Sequence, residues 1–120
     1  DVKARVVKHD YWLPDEAASL YADAHAVLSF ECHSPIIALT NGTPAFYLRQ
    51  PEDTIKGQMY YDLQLTDWTF EINDVTGEQI AGRLMSVHAD YAKARKRVKA
   101  SMDLVKKRYN AVFVPLKKLT

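Results

Sequence analysis

Ala26-Val27-Leu28-Ser29-Phe30-Glu31-Cys32-His33-Ser34-Pro35-Ile36-Ile37-Ala38-Leu39-Thr40-Asn41-Gly42-Thr43-Pro44-Ala45-Phe46-Tyr47-Leu48 reads as strand, helix, strand in one short unit. The run 26–30 is short and nearly all apolar, as a strand covered on both faces must be. Ser34 has the side chain of a helix cap, Pro35 suits the first helical position, and Gly42 suits the left-handed residue that closes a helix. Residues 44–48 form the next buried strand. Two strands joined by a helix run parallel through a right-handed crossover, and this sets the class as α/β.

Working outward, Leu13-Pro14-Asp15-Glu16 announces a helix that continues through Ala17, Leu20, Tyr21 and Ala24 at helical spacing. Upstream of it, Ala4-Arg5-Val6-Val7-Lys8 reads as a strand. Downstream, Arg49 to Gln58 is a polar loop, Met59 to Leu65 a short helix, and Trp68-Thr69-Phe70-Glu71-Ile72 an alternating strand. Thr76 and Gln79 form a capping box. From there Ile80, Leu84, Val87, Tyr91, Ala94, Val98, Met102, Val105 and Tyr109 recur at a step near 3.6, predicting one long amphipathic helix. Unbroken, it would measure about 45–50 Å, against a radius of gyration of roughly 13–14 Å for a compact domain of this size. It must bend, break or reach beyond the body. The expected fold is a partial doubly wound, Rossmann-like parallel sheet of about four strands with flanking helices and this long C-terminal helix. The opening at Asp1 and the small strand number read as a fragment of a longer protein.

Composition narrows the functional classes. The 120 residues are 48% hydrophobic and 26% charged, the balance of an ordinary globular domain. No apolar run approaches the roughly 20 residues of a membrane-spanning helix. A single cysteine, Cys32, excludes an internal disulfide and a thiolate cluster, and suits a reducing, cytoplasmic setting. The net charge of +1 hides a split. Residues 93–118 hold ten Lys or Arg and one acid, Asp103, leaving −8 for the remainder. The basic helix face reads as a solvated surface or a contact to another domain or copy. Nucleic acid is disfavoured, because Tyr91 and Tyr109 fall on the apolar stripe rather than among the cations.

In open parallel sheets ligands bind beyond the carboxyl ends of the strands. Three segments leave such ends: His9 to Trp12, Glu31 to Ser34, and Arg49 to Gln58. Glu31-Cys32-His33-Ser34 joins a strand directly to a helix, so free amides and the helix dipole favour an anion there. His33 is a candidate general acid or base, and Glu31 a candidate base or hydroxyl ligand. Arg49 and Lys56 are candidate phosphate contacts, and Thr54 and Gln58 add hydrogen-bonding groups to the same loop. Cys32 reads as a small packing residue. His9, His25 and His88 have no ligand-like spacing, and no metal or cofactor is expected.

The segment 26–48, continuing to Lys56, resembles the C-terminal domain of the polysaccharide pyruvyl transferase family, which is similar to the two-domain GT-B glycosyltransferases. The family pattern is a strand ending in Ser, an Arg-x-His, an apolar helix, Gly-x-Pro, a strand and a downstream Lys. Here these are Ser29, His33, Gly42-Thr43-Pro44 and Lys56, over about residues 10–72. The resemblance implies that residues 1–120 are a C-terminal GT-B-like domain needing an N-terminal partner domain, and inactive alone. It implies a transferase moving a pyruvyl group from phosphoenolpyruvate to a sugar hydroxyl pair in polysaccharide biosynthesis. By carry-over His33 is the catalytic or donor-binding histidine and Lys56 a phosphate or carboxylate contact; the reading of the residues themselves adds Glu31 as a catalytic candidate and Ser34, Arg49, Thr54 and Gln58 as substrate contacts. The family's Arg is Glu31 here, and a carboxylate cannot replace a guanidinium that grips an anion. Either another cation such as Arg49 takes over, or the donor is different; the alternative is a GT-B glycosyltransferase domain binding a nucleotide-sugar. A third reading is a non-catalytic binding or oligomerisation module built on the basic helix. An open sheet edge would in any case favour homo-oligomers.

Overall fold

A computed structural model describes residues 5–118. The elements are α1 (Pro14–Asp23), β1 (Val27–Ser29), α2 (His33–Thr40), β2 (Ala45–Arg49), α3 (Gln58–Asp62), β3 (Thr69–Glu71), α4 (Gly77–Ala89) and α5 (Tyr91–Lys117). Short 3-10 segments occupy Pro51–Gly57 and Thr66–Trp68. The sheet is parallel in the order β1-β2-β3, with Leu28 opposite Phe46 and Leu48 opposite Phe70. Among the described residues it holds three strands, not about four, and a doubly wound order is not present.

The fourth strand was expected over residues 4–8. Ala4 lies outside the described residues, and Val6 and Val7 are in neither helix nor strand. Both are more than two-thirds exposed. Two adjacent valines carry β propensity, but propensity without a pairing neighbour or a face to bury does not hold a strand.

Local chemistry explains the other boundaries. Pro14 opens α1, and the Glu16 carboxylate accepts from the Leu13 amide at 2.8 Å. At the far end of α2, Gly42 takes φ 81, its amide donates to Leu39 O, and the Thr43 amide reaches back to Ala38 O. That is a Schellman closure, as Gly42 predicted. The start of α2 differs from expectation. Cys32 stands at the cap in a helical conformation with no side-chain cap bond. Ser34 lies inside the first turn, its Oγ accepting from the Tyr21 hydroxyl at 3.1 Å. A partner on α1 claims the serine, and the helix begins two residues early. The same closure as at Gly42 ends α3, but with Gln64 at φ 60.

The long C-terminal helix breaks. Thr76 and Gln79 cap α4 reciprocally, at 3.2 and 2.8 Å. At Asp90 the backbone leaves helical geometry (φ −133, ψ 67), and its carboxylate accepts from the Lys93 amide to start α5. The 27 residues of α5 still span about 40 Å. The molecule measures 60 × 32 × 31 Å with a radius of gyration of 16.0 Å, so the helix both breaks and overhangs.

The core lies around β2, buried from Ala45 through Leu48, and includes Tyr60, Leu65, Trp68 and Val98. Each large side chain so buried contributes about 1.5–3 kcal/mol of transfer free energy. Phe46 packs on Trp68 and Phe70, and Tyr47 on Tyr60. Strand β1 is not covered on both faces as its apolar run suggested, because Leu28 is 49% exposed. The first half of α5 is pinned to the body. Arg97 forks onto Asp67, donates to Gln64 O at 2.7 Å and lies 5.0 Å over the Trp68 ring. Ser101 donates to Leu63 O at 2.9 Å. No described helix is long and apolar enough to cross a membrane.

Gly57 is the tightest glycine, since a Cβ there would overlap Cδ and Nε of Arg49. Gly57→Ala is expected to cost about 1–3 kcal/mol through overpacking. Gly82→Ala, which meets nothing within 4 Å inside α4, should gain about 0.5–1 kcal/mol of helix stability. Denaturant unfolding of the two variants checks both signs.

Candidate functional site

Strand β1 ends at Ser29, whose hydroxyl bonds the Glu31 amide at 2.9 Å and so turns the chain sharply into α2. The turn projects three consecutive polar side chains toward one another. His33 Nδ1 lies 2.8 Å from Glu31 Oε1. Cys32 Sγ lies 3.3 Å from that oxygen and 4.0 Å from His33 Nδ1. His33 and Glu31 are open to solvent, while Cys32 is 9% exposed beneath them. The Glu31 carboxyl is held below its usual range, first by the Cys32 thiol and then, against a desolvation cost, by His33. The Cys32 thiol is pushed up, first by burial and then by its bond to Glu31. An anionic Glu31 beside a protonated thiol fits a packed cysteine rather than a free nucleophile.

Strand β2 supplies the second wall. Tyr47 has no exposure, and its phenol donates to Asp53 Oδ2 at 2.6 Å. The same oxygen accepts from the Gln50 amide at 2.8 Å, which winds Pro51–Gly57 into a compact 3-10 segment where a polar loop was expected. Burial raises the Tyr47 pKa, and the bond to Asp53 raises it further. Asp53 is held low, chiefly by the Tyr47 hydroxyl and then by the Gln50 amide. Within the segment Thr54 sits at φ 48, ψ −115, a costly backbone for a β-branched residue. Thr54 O accepts from Arg49 Nη2, which helps fix that conformation.

The expected site residues therefore sort by position. His33, Glu31 and Ser34 gather at the start of α2. Lys56 is exposed, and its charge acts on Asp53 in its own segment and on Cys32 in the turn after β1. Arg49 is engaged elsewhere: Nη1 donates to Glu71 at 2.7 Å, and the other arm goes to Thr54 O. Gln58 donates to Asp62 on its own helix at 3.3 Å. From the first segment, Trp12 stacks edge-on against Tyr21, which holds Ser34, so residues near 12 reach the same side. No described strand precedes the first of these segments. Tyr47 and Asp53 were not foreseen as site residues. The available signal was a tyrosine inside a buried strand, whose hydroxyl must find a partner. His25 and His88, far apart in sequence, also meet, at 3.1 Å.

Comparison with family models, with curated proteins and with solved structures finds no match for this chain.

Asp53 gives the site a pH signature. Its folded pKa lies below the ordinary 3.8, so its stabilising effect is complete above that value and is lost as pH falls through the folded value. Tyr47→Phe removes the principal cause. The melting temperature should drop in the variant at neutral pH, and the gap to wild type should narrow as pH falls below 3.8. A gap independent of pH would show that the phenol does not act through Asp53.

Proposed function

We propose that this domain binds the anionic donor of a group-transfer reaction at the start of α2, and that the donor is phosphoenolpyruvate passed to a sugar hydroxyl pair. The observation that carries the reading is the His33–Glu31 pair, 2.8 Å apart at the carboxyl end of a parallel strand, with the Lys56 charge after the adjacent strand acting on Cys32 between them. His33 is exposed at the first position of α2, where amides without helical partners favour negative charge. In this reading His33 donates to, or exchanges a proton with, the transferred group, and Glu31 orients its ring through Nδ1. Lys56 neutralises the donor phosphate or carboxylate. Arg49, already paired with Glu71, acts by fixing the loop that carries Lys56. Ser34, Thr54 and Gln58 are the remaining proposed donor or acceptor contacts. A saccharide acceptor and an N-terminal partner domain complete the reaction, and the domain alone does not turn over.

The exposed carboxylate of Glu31 supports a second reading. A carboxylate at a strand end suits sugar or ribose hydroxyls, as a nucleotide-sugar donor would require. Calorimetric titration with phosphoenolpyruvate, UDP and GDP separates the two. Phosphoenolpyruvate is expected to bind, with His33→Ala and Lys56→Ala each weakening it at least about tenfold, the 1.4 kcal/mol expected of one charge-assisted contact. Nucleotide binding alone would transfer the site to glycosyl donors, and binding of none would reject both.

A further inference from the structure

We propose that Glu31, Cys32 and His33 form a three-ligand site for zinc, or a divalent ion of the same borderline class, with a fourth position open to an oxygen-donor anion. The donor atoms Oε1, Sγ and Nδ1 all lie within 4.8 Å of one another. Tetrahedral zinc, with bonds of about 2.0–2.1 Å to oxygen and nitrogen and about 2.3 Å to sulfur, needs ligand separations of about 3.3 Å between nitrogen and oxygen. It needs about 3.6 Å from sulfur to either. The observed separations are 2.8 Å for Nδ1 to Oε1, 3.3 Å for Sγ to Oε1 and 4.0 Å for Sγ to Nδ1. Each pair stands within about half an ångström of the coordinated value, so small shifts of the three side chains would complete the site.

The donor set selects the metal. A thiolate, an imidazole and one carboxylate suit zinc and cobalt, whereas magnesium and calcium call for oxygen ligands throughout. Charge is balanced as well. The positive end of α2 and nearby Lys56 oppose a bare cation, but a thiolate and a carboxylate bring the dication to neutrality. Metal binding takes the thiol proton, which passes to solvent. Three protein ligands are the number found in zinc sites that keep one position free, and His33 and Glu31 hold that side of the cluster open to solvent. An oxyanion there would complete the coordination of the metal. The inference needs only the ligand geometry and does not depend on the identity of the donor.

The test is titration of the whole chain with cobalt(II) alone, following the near-ultraviolet thiolate-to-cobalt charge-transfer band. The site predicts a band that saturates at one cobalt per chain, is displaced by zinc and resists excess magnesium. Cys32→Ser should abolish it, and His33→Ala and Glu31→Gln should each weaken binding at least about tenfold. The His25–His88 pair is the competing site, so His88→Ala should leave the band unchanged. Circular dichroism confirms that each variant is folded. Absence of the band overturns the proposal. So does a band that survives both His33→Ala and Glu31→Gln, which marks a simple thiol adduct, or one lost in His88→Ala. Failure of phosphoenolpyruvate to bind leaves this outcome untouched, and failure of cobalt leaves the donor titration untouched.

Discussion

Strand β2 is buried from Ala45 to Leu48 and hydrogen-bonded to parallel neighbours on both sides, so every polar atom it carries must find its partner inside the protein. Its tyrosine meets that demand through Asp53, and Tyr60 beneath it donates to Ala45 O at 2.9 Å. These bonds hold the segment after β2 in place. Arg49, the last residue of the strand, adds a second fastening through Glu71 and Thr54 O. The space for its side chain exists because residue 57 is glycine. Burial of one strand thus fixes the segment that carries Lys56, whose charge acts on Cys32.

The overhanging part of α5 follows different physics. Ala94, Val98 and Ser101 are buried against the body, and the same helix face continues through Val105, Tyr109 and Val112, all more than 40% exposed. Tyr109 stacks on Phe113 at 4.4 Å and stays half-exposed on the continuation of the apolar stripe. A groove runs between this stripe and Ile55 and Met59, next to Lys56.

Punctuation that acts within a few residues was readable from the chain. Gly42 closes α2 and Thr76 with Gln79 opens α4 as expected, because each depends on one backbone conformation and one or two local bonds. Features that depend on distant partners were not readable. Val6 and Val7 have the composition of a strand, but only a neighbour decides whether a strand forms. Ser34 looks like a cap until Tyr21 reaches it. Asp90 sits within an unbroken apolar rhythm, so periodicity ran through it, although an aspartate three residues before Lys93 was a usable cap signal. For the site, the Glu31–Ser34 turn followed from a strand meeting a helix. The Tyr47–Asp53 bond did not, because it needs the chain after β2 to fold back through the Gln50 amide, where an open polar loop was expected. Arg49 looked like a free cation until Glu71, 22 residues on, was placed beside it.

Two adjacent parallel strand ends carry the site, and the Lys56 charge after β2 acts on the Cys32 thiol after β1. The most direct measurement is the pH profile of Cys32 alkylation in the wild type and in Lys56→Met. Lys56 opposes the upward pressure of burial and Glu31 on that thiol, so removing it should move the reactivity midpoint to higher pH while the fold is unchanged. A midpoint that stays in place would mean that the two strand ends do not share a site.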